Sequence, residues 1–311
     1  MSKLFVKLSR QPTIFVLALV VAGSTIADPQ FLTVTNLFNL LRQVAPNSIV
    51  ATGMAVVIIA GGIDLSVGAM LSLAGVIAVA AQPRFGYGLG ILFALLAGAA
   101  AGLVNGLLVT RLRINAFIGT LGVMTILRGF ALTLSRSHTL PGQDPVFAAL
   151  ADRPILGIPF SAALSIVLLA AGHYFLTSTP AGRTIYAVGG SLEASRLAGL
   201  RVERSLLLAY LAPALAAALA GVLIASEINS GSPVLGNDTP LYAIAAVLLG
   251  GISMRGGSGS LMGMLQGVLI LGVLTNGLNI SGVGGFYQIV VVGSLLILTV
   301  VLDRLVPRKH G

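Results

Sequence analysis

The sequence predicts an all-α polytopic membrane protein with about ten transmembrane helices, and three observations carry that prediction. Of its 311 residues, 56% are hydrophobic and only 9% are charged. The mean hydropathy is +1.01. Apolar stretches of roughly 20 residues, the length at which a helix crosses a hydrocarbon core of about 30 Å, recur along the chain. Residues 1–311 read as a single transmembrane domain.

In order, the spans fall near 13–28, 45–61, 66–82, 88–110, 116–134, 162–178, 206–226, 240–253, 260–279 and 286–302. With a cytoplasmic N-terminus, thirteen of the 18 basic residues collect on the inner side: Lys3, Lys7, Arg10, Arg111, Arg113, Arg183, Arg196, Arg201, Arg204, Arg255, Arg304, Arg308 and Lys309. Arg42, Arg84, Arg136 and Arg153 fall outside, and Arg128 lies within a span. This asymmetry predicts both termini in the cytoplasm. The first span also has the basic and apolar regions of a signal peptide, with Thr25 and Ala27 at a cleavage spacing. Removing it would leave nine spans and upset the charge asymmetry, so it reads as a span.

The net charge of +9 is scattered between apolar runs, which argues against a nucleic-acid surface. The absence of cysteine excludes disulfides, thiolate catalysis and the common zinc and iron–sulfur sites. His138, His173 and His310 are far apart, and no carboxylate pair has metal-ligand spacing. Neither a metal nor a cofactor is expected.

Two hydrophilic stretches interrupt the spans. Residues 135–160 fall outside, and their prolines suit an ordered surface loop that could touch an external partner. Residues 179–205 fall inside, where Leu192 to Leu200 can form a short helix with Leu197 and Leu200 on one side. A short amphipathic helix of this kind is a docking candidate.

Within the apolar run "VVIIAGGIDLSVGAMLSL" stands a carboxylate, Asp64, which costs about 2.5–3.5 kcal/mol at the centre of a span unless something removes it from lipid. Gly61 and Gly62 end the second span and Leu65 resumes a helix, so Asp64 is expected at a helix N-cap. The alternative makes the turn a conformational joint near an inner gate, with Asp64 and Ser66 changing partners. Glycine stripes at Gly98, Gly102, Gly106 and at Gly259, Gly263, Gly267 predict close helix contacts. "GGIDLSVG" and "GGISMRGG" match at Gly61/Gly250, Gly62/Gly251, Ile63/Ile252 and Gly68/Gly257, a weak trace of internal duplication.

The motifs "GGIDLSVGAMLSL", "FIGTLGVMTILRG", "GRTIYAVGGSLEASRLAGLRV", "AIAAVLLGGISMRGGSGSLMGMLQGVLILGVLTNGLN" and "VVLDR", in that order, resemble the membrane subunits of ribose- and xylose-type ATP-binding-cassette sugar importers. The likeness runs from about residue 30 to 305. It implies a permease of the bacterial inner membrane that pairs with a second permease copy or paralogue, receives its substrate from a periplasmic binding protein and is opened by cytoplasmic ATPase subunits. Glu193, Ala194 and Ser195, with Gly199 following, resemble the loop through which importer permeases engage the ATPase. Physically, a short helix flanked by turns at Gly189, Gly190 and Gly199 could insert into a groove and carry a push into the bundle. No GxxxxGK[ST] occurs, and the only lysines are Lys3, Lys7 and Lys309, so ATP is expected to be used by a partner subunit.

A monosaccharide offers hydroxyls, so its route should carry neutral hydrogen-bonding side chains. Asn47, Asn105, Thr120, Thr125, Asn276 and Asn279 are the pathway candidates, with Asp64 and Ser66 at the gate; interhelical hydrogen bonds explain each as well. Arg128 either snorkels outward or pairs with Glu227. One departure from the resembled pattern stands before "AIAAV": Pro240 and Tyr242 occupy the places of a usual acidic pair, with Asp238 nearby. Nucleosides, branched amino acids or a furanose signal molecule remain alternative cargoes. An ion-coupled carrier would need a buried ionisable relay, and only Asp64, Arg128 and Glu227 lie near the spans. A membrane enzyme would need a catalytic cluster that the sequence lacks.

Overall fold

The computed structural model describes residues 12–305. Lys3, Lys7, Arg10, Arg308, Lys309 and His310 lie outside the described residues, as does the basic start of the signal-like segment. Ten apolar helices run through the described chain. In order they are α1 (Pro12–Ala27), α2 (Val34–Ile59), α3 (Val67–Ala80), α4 (Gln82–Thr110), α5 (Ala116–Ser135), α7 (Phe160–Ser178), α10 (Val202–Glu227), α11 (Thr239–Leu249), α12 (Leu261–Ile280) and α13 (Gly285–Leu305). Three shorter helices connect them: α6 (Pro145–Ala148), α8 (Pro180–Gly190) and α9 (Leu192–Leu197). Six of the apolar helices are long and apolar enough to cross a membrane. At 1.5 Å per residue α3 and α11, with 14 and 11 residues, reach only about 21 and 17 Å, short of a full hydrocarbon core.

Small residues hold the centre together. Lipid tails are as apolar as leucine, so helices associate in a membrane mainly through close contact of backbones. Helix α10 supplies the surface for this with Ala214, Ala217, Ala218, Ala220, Gly221 and Ala225, all buried. A Cβ on Gly98 would come within 2.6 Å of Ala218 Cβ, and one on Gly102 within 2.9 Å of Leu211 Cα. Gly53 of α2 meets Pro213 and Ala212 of α10 in the same way, and Gly221 lies on the Leu71 carbonyl of α3. The stripe at Gly98, Gly102 and Gly106 therefore seats α4 on α10. Of the second stripe, Gly263 and Gly267 face the Gly250 and Ala246 carbonyls of α11, but Gly259 stands before α12 with φ +123 and belongs to a loop.

Helix boundaries follow local chemistry. Helix α2 starts earlier than the predicted span because Thr33 caps it, accepting from the Asn36 N–H, and it carries Pro46 inside. Helix α4 likewise starts at Gln82, before the span expected from 88, and kinks at Gly86 (φ 75, ψ 168) before its long straight part. Helix α1 belongs to the bundle: Ser24 meets Gly277, and the Thr13 hydroxyl donates to Gln266 Oε1.

The two glycine repeats do end helices alike, but one residue out of the expected register. The Gly61 and Gly62 N–H groups return to the Ile58 and Val57 carbonyls, and the Gly251 and Ile252 N–H groups return to Leu248 and Val247. Gly61 and Gly251 both take φ +81, which completes a Schellman stop. The structural equivalents are thus Gly61 and Gly251, not Gly61 and Gly250.

At the opposite end of the bundle, residues 136–160 fold into an ordered cap. Strand β1 (Leu140–Pro141) pairs antiparallel with β4 (Ser230–Gly231), and β2 (Pro154–Ile155) pairs with β3 (Ile158–Pro159). Gln82 Oε1 accepts from the Gln143 and Asp144 N–H groups, Ser226 Oγ donates to the Phe147 carbonyl, and Arg42 pairs with Asp152 at 2.6 Å. The proposed pairing of Arg128 with Glu227 does not form. Glu227 lies in the field of Asp152 and Arg42 instead, and the two ion pairs among the described residues are Arg42–Asp152 and Arg196–Glu203.

Candidate functional site

Four of the predicted polar residues meet in one buried cluster where α2 breaks into α3. Asp64, Ser66, Asn105 and Thr120 are each fully buried. Asp64 Oδ1 accepts from the Ser66 N–H at 2.8 Å and from the Ser66 hydroxyl at 2.6 Å. The Asn105 amide, from α4, donates to Ser66 Oγ at 2.8 Å and lies 3.2 Å from both Asp64 oxygens. The Leu65 N–H donates to Thr120 Oγ1 of α5 at 3.2 Å. The carboxylate is thereby removed from lipid, which answers the question its position raises.

Its role is not the predicted one. Asp64 does not cap α3: Ser66 occupies the N-cap position and makes no side-chain cap bond. Asp64 instead closes an Asx turn onto Ser66 and ties the break to α4 through Asn105. Beside it, a Cβ on Gly62 would stand 2.6 Å from the Tyr210 hydroxyl of α10, so Gly62 lets that helix approach the turn.

The remaining pathway candidates lie elsewhere. Asn276 is buried and exchanges amide hydrogen bonds with Asn36 at 2.9 and 3.1 Å, an interhelical tie between α12 and α2. Thr125 and Asn279 are exposed on the protein's surface, and Thr125 donates to its own helix at Leu121. Asn47 likewise donates to the Gln43 carbonyl one turn back. Pro240 opens α11 and packs on Gly68, while Tyr242 buries its hydroxyl and Asp238 stays exposed without capping the helix.

The candidates on residues 179–205 form a second group at the same end of the bundle as Asp64. Helix α8 starts on Pro180 with Thr179 as its N-cap, and α9 starts on Leu192 with Ser191 as its N-cap, whose side chain accepts from the Ala194 N–H. Helix α9 is shorter than expected, ending at Leu197, so Leu200 lies past the turn at Gly199 and does not share a helical face with it. Gly199 takes φ +73, the left-handed turn that the sequence predicts. Glu193, Ala194 and Leu197 are exposed, whereas Ser195 is buried. A groove beside them is lined by Thr110, Arg113, Leu192, Arg196 and Glu203.

Gly189 and Gly190 are not a flanking turn but the last residues of α8, and Gly189 has a different task. A Cβ there would fall on the Ile59 carbonyl oxygen, at the end of α2, and 2.6 Å from the Gly257 nitrogen. Gly257 donates to that same Ile59 carbonyl at 2.8 Å. A Cβ on Gly256 would meet the Gly189 carbonyl at 2.8 Å and Gly61 Cα at 2.8 Å. The end of α8 is thus wedged, backbone on backbone, between the Schellman stop of α2 and the Gly256–Gly257 loop that follows α11. Tyr186 fastens it with a hydroxyl bond to the Gly259 carbonyl at 2.9 Å. Burial raises the pKa of that hydroxyl above its ordinary value, which keeps it a neutral donor. Sequence reasoning missed Ile59, Tyr186, Gly256 and Gly257. The clustering of glycines in "GGISMRGGSG" was the available signal, and four of them do take positive φ.

Comparison with known proteins finds relatives over nearly the whole chain. The family described as "Branched-chain amino acid transport system / permease component" matches residues 36–300. The ribose import permease proteins of Bacillus subtilis (strain 168) and Escherichia coli (strain K12) are 41% and 38% identical, over 94% and 96% of this chain and 90% and 94% of theirs. The D-allose transport system permease protein of Escherichia coli (strain K12) is 33% identical over 95% of this chain and 92% of its own. No solved structure matches. With that match over most of its length and those identities, the chain belongs to the branched-chain amino acid transport system / permease component family of membrane permeases.

Proposed function

We propose that this chain is the membrane subunit of an ATP-driven importer and passes a monosaccharide inward from a periplasmic binding protein. The similarity to ribose, D-allose and L-arabinose permeases over nearly the whole chain supports the sugar class. In this reading the ten apolar segments cross the bacterial inner membrane alternately, α3 and α11 together with the irregular residues that flank them, with both termini and the α8–α9 segment on the cytoplasmic side. The positive-inside bias of the loops supports that orientation. The chain has no phosphate-binding loop, so separate ATPase subunits supply the energy.

The observation that carries the mechanism is the wedge at Gly189. Helix α9 presents Glu193, Ala194 and Leu197 outward as the face for the ATPase. Displacement of α9 moves α8, and α8 contacts the end of α2 and the Gly256–Gly257 loop between α11 and α12 through backbone atoms that have no side-chain slack. The Asp64 cluster then carries the motion of the α2–α3 break to α4 and α5. A second permease copy or paralogue completes the route, and exposed Thr125 and Asn279 supply neutral hydrogen-bonding groups along it.

Reversing Glu193 to Lys, or changing Gly199 to Phe, is expected to weaken ATPase association and abolish transport while the permease stays inserted. The Gly199 change also places a side chain at φ +73, a local strain of roughly 1–2 kcal/mol that opens the turn into α10. Co-purification of the ATPase and uptake in vesicles read the two effects. Normal assembly and transport in both variants would remove the coupling role from residues 190–200.

A further inference from the structure

The β2–β3 hairpin carries a residue that its turn does not want. Leu156 and Gly157 take φ +51 and +85, two consecutive left-handed residues of the kind for which Asn-Gly is preferred. A leucine in that conformation is strained, and its side chain touches nothing, at 101% relative exposure. Ile155 beside it is also exposed. The base of the hairpin is by contrast firmly held. Phe160 donates to the Arg153 carbonyl and Ser161 to the Ala151 carbonyl, Ala151 and Pro159 are buried, and Asp152 pairs with Arg42. A rigid stalk therefore presents an apolar tip in an unfavourable backbone state, which points to a use for the tip outside this chain.

Its position identifies the use. Pro159 is both the last residue of β3 and the N-cap of α7, so no linker separates the hairpin from that helix. The 19 residues of α7 span about 28 Å, close to one hydrocarbon thickness. The hairpin consequently stands level with the membrane boundary. On α7, to which the hairpin is joined directly, Ile166 and Val167 are more than half exposed. The chain contains no tryptophan, the usual anchor at that depth. Arg153 at the base is exposed, and basic side chains at the membrane surface are attracted to anionic lipid headgroups. We infer that the tip of this hairpin, Ile155 and Leu156, inserts into the lipid leaflet at its end of the bundle and pins the outer cap to the membrane surface. The inference rests on the spanning role of α7 and not on ATPase coupling.

The Trp-free chain gives a direct test. Leu156→Trp, with Ile155→Trp as a second reporter in case the first variant misfolds, is reconstituted in phosphatidylcholine and phosphatidylglycerol vesicles. Val167→Trp on α7 serves as the lipid-facing control. Blue-shifted emission, most of which is lost in vesicles with brominated acyl chains and little to iodide, is the expected result for the tip and the control alike. Quenching of the control alone, with tip emission that iodide removes, would overturn the inference while leaving α7 in the membrane. Protection of the tip from iodide only when the periplasmic binding protein is added would overturn it in favour of a protein contact. An unquenched control would instead sink the spanning assignment.

Discussion

Gly189→Ala is expected to abolish uptake and lower stability by about 2–4 kcal/mol, whereas Gly190→Ala one residue on costs little stability. The two positions differ in what a methyl group meets. At Gly189 it falls on the Ile59 carbonyl and crowds the Gly257 N–H, so either α8 retreats or the Gly257–Ile59 hydrogen bond breaks. Both are backbone atoms, and no rotamer change can relieve the clash. At Gly190 the same methyl group enters open space. Thermal unfolding in detergent measures the stability difference, and ATP hydrolysis alongside uptake measures coupling. In Gly189→Ala that remains folded, hydrolysis is expected to persist without transport. Equal behaviour of the two alanine variants would remove the wedge from the mechanism.

Asp64→Ala is expected to cost about 2–4 kcal/mol, because it strands the buried Ser66 N–H and hydroxyl hydrogen and leaves the Asn105 amide with Ser66 Oγ as its remaining acceptor. Asp64→Asn keeps an acceptor for Ser66 but sets an amide against the Asn105 donors, and about 1–2 kcal/mol is expected. Uptake per folded molecule should stay near wild type in Asp64→Asn, since the side chain's work is to hold the break against α4. Wild-type stability with lost uptake in that variant would show instead that the charge changes partners during the cycle.

These two sites differ in how far the sequence reveals them. The apolar spans were legible because lipid demands long runs of one kind of residue, and Asp64 was legible because it violates that demand. Ser191 and Gly199 bound α9 through cap and turn chemistry that any sequence displays. Placement of Asp64 at the break was therefore readable, but its partner was not: Asn105 lies 41 residues away, and nothing local to either residue encodes their meeting. The wedge was less legible still, since Gly61, Gly189 and Gly257 meet through backbone atoms and glycine carries no side chain to advertise a contact. Arg128 and Glu227 fail as a pair for a related reason. Matching charges by span depth ignores which helices are neighbours, and Glu227 sits instead by the cap residue Asp152. The one-residue offset between the glycine repeats has a local cause, because a Schellman stop is set by the residue of positive φ and not by the first glycine of a pair.

Sugar uptake by the reconstituted complex tests the central claim most directly. Proteoliposomes holding the permease and its ATPase, supplied with the binding protein and labelled ribose, should accumulate sugar only when ATP is present on the ATPase side. The same vesicles without ATPase should accumulate none under a proton or sodium gradient. Accumulation by the permease alone, driven by either gradient, would contradict the account.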